Sequence, residues 1–178
     1  FSRLSERSRF YRFFSPLKRL PEGWAERLTN LDHETHRAWV AYDPDARVDG
    51  APGLGVGVAR LIELPDDPTA AEAAVAVTDD YQGRGIGRAL LEVLAGTANA
   101  VGYQTLVTTI LRENRAMLEL ARSLGGPVRT SSDGDAVRVE IPLSDTADDQ
   151  VVEGALYDLL RLSAGLDGPT TPGGPTDG

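Results

Sequence analysis

The sequence predicts a mixed α/β domain, and three observations carry that prediction. Short runs rich in β-branched and apolar residues are bounded by turn-forming clusters. Between them lie stretches whose apolar residues recur at helical spacing. With 178 residues and 41% hydrophobic content, the chain can bury one ordinary core, so one domain is expected.

In chain order, Ser5 is placed to cap a helix over "ERSRFYRFF", and a second helix is expected from about Glu22 to Leu31, opened by Pro21. The runs "HRAWVAYD", His36 to Asp43, and "LGVGVARLIEL", Leu54 to Leu64, read as a hairpin joined across "PDARVDGAPG". A third strand, "AEAAVAV", spans Ala71 to Val77. It leads through a glycine-rich turn into a helix whose Ile86, Leu90, Val93 or Leu94, Thr97 and Val101 share one face expected to be buried, with Gly102 as its stop. "QTLVTTIL" is a fourth strand, and Asn114 to Leu124 a helix with Met117, Leu120, Ala121 and Leu124 inward, ended by Gly125 and Gly126. "VRT" and "AVRVEIPL" close the sheet as a hairpin across "SSDGD". Residues 144–163 carry an amphipathic stretch from Asp148 to Ser163, and residues 164–178 read as a Gly/Pro-rich tail or linker. That tail and the start at Phe1 suggest a piece of a longer chain, with residues 1–143 as its folded domain.

Composition narrows the function. The formal net charge of −9 argues against general affinity for nucleic acid or anionic membrane surfaces. No apolar run approaches a bilayer span and no signal peptide is read at the charged amino end, so a cytoplasmic protein is expected. Cysteine is absent, which removes thiolate nucleophiles and cysteine metal sites. His33 and His36 lack a third ligand cluster, and no metal is expected. The aromatics of the first two helices, with Trp39 and Tyr42, read as core, and Asp66, Asp67, Asp79 and Asp80 as solvated loop charge.

The stretch "DDYQGRGIGRALLEVL", Asp79 to Leu94, holds the strongest motif. It is not a P-loop, because no Gly-Lys-Ser/Thr ends it. Nor is it a dinucleotide fingerprint: the third small residue would fall at Arg88 or Leu90, and position 108, the place of an acidic ribose ligand, is threonine. What remains is strand, turn and helix, with backbone N–H groups and a helix N-terminus suited to a pyrophosphate. A turn in which glycine merely permits unusual torsions is an equally good reading of the loop alone.

The wider stretch "VTDDYQGRGIGRALLEVL" resembles the acyl-CoA signature of the GNAT superfamily of acetyltransferases, Gln/Arg-x-x-Gly-x-Gly/Ala, and "NRAMLELARSLGG" resembles its second block. The resemblance, which spans Glu72 to Gly126, implies a mixed, mostly antiparallel central sheet flanked by helices, with acetyl-CoA as cosubstrate. It implies that Gln82, Gly83, Arg84, Gly85, Ile86, Gly87 and Arg88 form the pyrophosphate turn, that Val75 and Val77 offer strand backbone to the pantetheine arm, and that Asn114 contacts that arm. An N–H near Val77 is the oxyanion donor if the strand bulges there. Many members carry a tyrosine seven residues after the asparagine as general acid; here that position is Ala121.

Further upstream, "LSERSRFYRFF", "LTNLDHETHRAWVAYD" and "AEAAVAVTDDYQGRGIG" resemble bacterial protein lysine acetyltransferases of the Pat type, which modify acyl-CoA synthetases. In that family the glutamate opening the fourth strand is the general base, which corresponds to Glu72. A glutamate capping an exposed strand start is the alternative, and from the residues alone the better one. The family's first strand is expected to be missing, leaving an open sheet edge. The resemblance implies a lysine acetyltransferase acting by direct attack on an acyl-CoA synthetase, with a regulatory domain in the full-length chain. The alternatives are a GNAT enzyme acting on a small-molecule amine and a non-catalytic acyl-CoA sensing module.

Overall fold

Alternation along the third strand organises the molecule, because it gives that strand one apolar face and one open face. The computed structural model describes residues 1–48, 50–124 and 127–143. Its elements run α1 (Glu6–Phe13), α2 (Trp24–Thr29), β1 (His36–Val48), β2 (Ala51–Leu64), β3 (Asp67–Val77), a single 3-10 turn (Asp79–Tyr81), α3 (Ile86–Ala100), β4 (Thr105–Leu111), α4 (Arg115–Ser123), β5 (Arg129–Asp133) and β6 (Ala136–Pro142). Six strands form one sheet in the order β1-β2-β3-β4-β6-β5. All neighbours are antiparallel except β3 and β4, which α3 joins as a crossover. The expected stretch from Asp148 to Ser163, the tail, and Gly125 with Gly126 lie outside the described residues.

The register opposes Ile62 to Glu72, Arg60 to Ala74 and Val58 to Ala76. Glu72, Ala74 and Ala76 therefore share one face, as the alternation predicts. The other face carries Ala59, Leu61, Ala71 and Ala73, all buried, and receives Leu90, Leu91 and Leu94 of α3. Leu106, Ile110, Val139 and Ile141 join the same cluster, with Ala121 of α4 fully buried and Met117, Leu120 and Leu124 packed against it. The inner stripes expected of both helices are thus observed except at Val101, which is 44% exposed because α3 ends at Ala100 and Val101 is only its cap, and Gly102 follows with φ of 96°.

Several boundaries differ. Helix α2 starts at Trp24, not Glu22, because Gly23 takes φ of 75° as its cap while the Trp24 N–H closes a turn on the Pro21 carbonyl at 3.1 Å. The hairpin arms reach Val48 and Ala51, so most of the expected "PDARVDGAPG" loop is strand. Its irregular residues sit in a register shift between Asp43 and Arg47, where the Asp43 carboxylate accepts the N–H groups of Asp45 and Ala46 and Pro44 lacks a donor on the sheet's edge. Opposite, Gly53 has φ of 89°, and a Cβ there would fall 1.3 Å from the Tyr42 hydroxyl oxygen. Strand β3 begins at Asp67, four residues before the expected Ala71, as continued pairing with β2 draws the chain in. In the closing hairpin, "SSD" belongs to β5, because its residues find partners on β6.

The core expectation for the aromatics fails. Strand β1 forms one edge of the sheet, and Trp39 and Tyr42 remain 43% and 53% exposed, with the Trp39 indole N–H held by Thr97 Oγ1 of α3 at 3.0 Å. Neither α1 nor α2 has a buried residue. Phe1, Phe13 and Trp24 instead make a tilted aromatic chain with centroids 5.7 and 6.1 Å apart. These helices lie over the sheet's open face as a wall.

Since Leu94 is fully buried between α3 and the sheet, Leu94→Ala is expected to lower unfolding free energy by about 2–5 kcal/mol, read from the denaturant midpoint at unchanged slope.

Candidate active site

The parallel pairing of β3 with β4 covers three registers, Ala70 with Thr105, Ala71 with Leu106 and Glu72 with Val107. Beyond Glu72 the strands separate, and a cavity of about 760 Å³ opens between them, walled by α1 on one side and by α4 on the other. Backbone direction along β3 follows from two hydrogen bonds. Gln104 N–H donates to Thr69 C=O at 2.7 Å, so odd-numbered residues face β4. Thr78 N–H donates to Val56 C=O at 2.8 Å, which makes Gly57 with Val77 a non-hydrogen-bonded pair in the antiparallel ladder. Val75 and Val77 consequently turn their N–H and C=O groups away from β2, into the gap that β4 has left. The pairing of β3 with β2 is regular from Ala71 to Val77, its one register shift falling earlier, between Asp67 and Ala71, so the conditional bulge near Val77 is not found. A register shift lies instead in the β1–β2 pairing, where Ala41 opposes Gly57 and Tyr42 opposes Gly55.

At the far end of β3 the glycine turn begins. Gly83 and Gly85 have φ of 74° and 82°, and a Cβ at either would meet nothing within 4 Å, so torsion rather than crowding selects glycine. The first intrahelical bond of α3 is Ala89 N–H to Gly85 C=O at 3.0 Å. The N–H groups of Ile86, Gly87 and Arg88 precede it and are free of intrahelical acceptors. Torsion and anion geometry therefore coincide here.

Of the residues singled out in the sequence, Glu72, Val75, Val77, Gln82, Gly83, Gly87 and Asn114 line the cavity, whereas Arg84, Gly85, Ile86 and Arg88 lie outside its lining. Ile86 is a buried anchor. The Arg84 guanidinium folds back over the Tyr81 ring at 4.7 Å and donates to the Asp80 carbonyl at 2.7 Å. Arg88 pairs with Glu92 at 2.7 Å, a hydrogen bond that raises the Arg88 pKa. Gln82 donates from Nε2 to the Val77 carbonyl at 3.0 Å and to Ser8 Oγ at 3.2 Å, bracing the turn against the strand end. Asn114 caps α4, its Oδ1 accepting from Met117 N–H at 3.3 Å, which leaves the amide NH2 as the donor it offers the cavity.

Glu72 is exposed at the point of strand separation. Above it Arg12 of α1 also lines the cavity, and its pKa is lowered by burial and by the charge of Arg60, against an opposing pull from Glu72. Arg60 in turn donates to the Leu28 carbonyl at 2.6 Å and lies 3.1 Å from His36 Nε2, whose pKa is lowered by burial and then by Arg60. His36 is thereby committed to a guanidinium. Among the described residues no three His, Asp or Glu side chains converge as a metal site, and no helix is long and apolar enough to cross a membrane.

Asp79 departs from the solvated-charge expectation. Its carboxylate accepts from Ser5 N–H at 2.8 Å, Ser5 Oγ at 2.6 Å and Ser8 Oγ at 2.9 Å. The turn after β3 is thus latched to the start of α1, a connection that the Ser5-x-x-Ser8 spacing could have suggested. Tyr81, read as packing or surface, lines the cavity, and its hydroxyl donates to Asp43 at 2.5 Å. That hydrogen bond, with burial, raises its pKa. Tyr103 is packing, being 7% exposed. Arg12 and Thr108 are cavity residues that sequence reasoning did not select, and Tyr11 and Phe14, read as core, line the cavity instead.

Comparison with known proteins places this geometry. The model of the acetyltransferase (GNAT) family matches residues 4–125, most of the chain. The chain belongs to the GNAT acetyltransferase family. It is 34% identical over 152 residues to acetyltransferase Pat of Mycolicibacterium smegmatis, covering 85% of this chain and 43% of that protein. The crystal structure of the GNAT domain of S. lividans PAT superposes with a TM-score of 0.66 at 28% identity, over 80% of each chain. A cAMP-binding acyltransferase from Mycobacterium smegmatis gives 0.54 at 28% identity, over 90% of this chain and half of that one. The chain thus spans about half the length of these last relatives. The GNAT fold is the mixed six-stranded sheet described above, and this GNAT domain carries β1 at its open edge. At the position where many members have a tyrosine acid stands Ala121, with no exposed surface.

Burial alone would raise the Asp79 pKa, but the hydrogen bonds from Ser5 and Ser8 outweigh it, and the net shift is downward. A carboxylate lowered in the folded state stabilises it above the unfolded value near ~3.9, and the contribution is lost as pH falls through the folded value. Asp79→Asn is therefore expected to cost about 1–2 kcal/mol at neutral pH and to flatten the loss of stability as pH falls below the unfolded value near ~3.9. Denaturant unfolding of both proteins across that range checks it.

Proposed function

We propose that this GNAT domain transfers acetyl from acetyl-CoA to a lysine side chain of another protein, an acyl-CoA synthetase being the acceptor class implied by its Pat-type relatives. The observation that carries the reading is the position of Glu72, the last residue of β3 to pair with β4, at the rim of the cavity onto which the strand backbone opens. In this reading the turn from Gln82 to Arg88 holds the pyrophosphate chiefly by main-chain N–H groups, Val75 and Val77 hold the pantetheine arm, and Asn114 donates to it from α4. The site contributes four things: an anion turn, an extended cleft, a carboxylate and donors near the reacting carbonyl.

A lysine ammonium of pKa ~10.4 is neutral in only about one molecule in a few thousand at pH 7, and only the neutral amine attacks a thioester. Glu72 takes that proton directly or through one water, worth about 100- to 10,000-fold. Strand N–H groups facing the cleft stabilise the negative charge that develops on the thioester oxygen. The thiolate departs without a tyrosine acid, since Ala121 supplies none and a thiol of pKa near ~8.5 leaves tolerably as its anion. Without cysteine, attack is direct within a ternary complex.

The surroundings of Glu72 favour a protein lysine over a small polyamine. Arg7, Arg12 and Arg115 line the same cavity as Glu72, so the acceptor side is not an enclosed acidic pocket. A cytoplasmic location and a regulatory domain elsewhere in the full-length protein complete the proposal, the latter supported by the greater length of the relatives.

Glu72→Gln is expected to slow CoA release from acetyl-CoA, with an acyl-CoA synthetase as acceptor, by at least roughly 100-fold at preserved acetyl-CoA affinity. Unchanged turnover removes Glu72 from the mechanism. Turnover with polyamines but not proteins replaces the acceptor, and acetyl-CoA binding without CoA release to any amine points to a sensing module.

A further inference from the structure

Thr108 is the one buried polar residue among the described residues, at 4% exposure. It stands on β4 one position beyond Val107, the last residue paired with β3, and it lines the cavity. Its strand face is apolar: Leu106 and Ile110 flank it at spacing two, and Val139 opposes it on β6, all nearly or wholly buried. No described residue gives its hydroxyl a hydrogen bond. Valine has almost the same shape and high strand propensity, so packing does not call for a hydroxyl here. Among the described residues the buried side-chain atoms left without a partner are Arg9 Nε and Thr78 Oγ1, so the Thr108 hydroxyl keeps its access to the cavity, where water or a ligand supplies its hydrogen bond.

We propose that the missing partner is the acyl carbonyl of the thioester, which accepts a hydrogen bond from Thr108 Oγ. The inference rests on the acetyl-CoA reading above and adds a side-chain contact to it. Position along the cleft selects the ligand atom. The pyrophosphate turn lies past the end of β3, while Thr108 lies at the opposite end, level with the residue after Glu72. From Ala73 to Val77 the strand spans four residue steps, roughly 13 Å, and the pantetheine arm occupies that length. The polar atom left at the point of separation is the carbonyl oxygen of the acyl group, next to the proposed base. As negative charge builds on that oxygen during attack, the bond from Thr108 strengthens, joining the backbone donors of β3. The hydroxyl only donates a hydrogen bond; the proton lost by the amine still goes to Glu72.

Calorimetric titration of the domain with CoA and with acetyl-CoA tests this. Wild type is expected to bind acetyl-CoA roughly three- to tenfold more tightly than CoA, a preference that Thr108→Val abolishes and Thr108→Ser keeps, with CoA affinity the same in all three. Thermal unfolding of the free proteins supplies the reading that a purely structural role would not give. Thr108→Val should melt at or above the wild-type temperature, while Thr108→Ser, which loses a buried methyl, should melt below it yet retain the preference. A wild type that binds the two ligands equally, a valine variant that keeps the preference, or one that melts well below wild type overturns the inference. Loss of CoA affinity in Thr108→Val moves the contact to the pantetheine arm and also overturns it. Failure of wild type to bind either ligand overturns the cofactor reading itself.

Discussion

The parting of two parallel strands is the constraint on which the rest of this domain depends. Strands β3 and β4 pair at three registers and then separate. In a fully paired sheet the N–H and C=O groups of Val75 and Val77 would be spent on β4, and no cleft would exist. Separation leaves both Val75 groups and the Val77 N–H oriented into the gap, while Gln82 Nε2 takes the Val77 carbonyl, an arrangement tolerable only where water or a ligand can reach the rest. Each end of the sheet remains secure meanwhile, because β2 continues its regular pairing with β3 through Val77 and β6 continues with β4 through Leu111. The cleft is thus an opening between two firmly paired strand pairs.

Around that opening the helices divide the labour. Helix α3 fills the core face with Leu90, Leu91 and Leu94 while its first turn lies at the end of β3, so the burial that stabilises the fold also fixes the glycine turn. Helices α1 and α2 bury nothing fully and are held by polar contacts instead. Asp79 receives three hydrogen bonds from Ser5 and Ser8, and Ser8 also accepts from Gln82. Through those bonds α1 is tied to the glycine turn that follows β3. Few apolar contacts and many polar ones describe an element of low local stability.

The departures from sequence expectation share a cause. Trp39 and Tyr42 read as core because aromatic residues in a strand are usually covered, yet β1 is an edge and covering depends on neighbours that periodicity cannot name. Asp79 read as solvated charge because its partners lie more than 70 residues away. Thr108 drew notice only as an unsuitable ribose ligand, since burial beside a cavity leaves no mark on a single letter. Arg12 sits in a helix whose charges read as surface, although it lines the same cavity as Glu72.

By itself the amino-acid sequence determined which segments are helix or strand, the alternation that puts Glu72 with Ala74 and Ala76, the inner stripes of α3 and α4, and the glycines that the turn before α3 requires. All of these are local: they follow from side-chain periodicity, capping chemistry and the torsions open to glycine within a few residues. Tertiary structure alone decided where β4 leaves β3, which strand forms the open edge, and which polar groups meet across the cleft. Those outcomes depend on contacts between residues distant in the chain, whose free energies are set by burial and register once the whole sheet has formed.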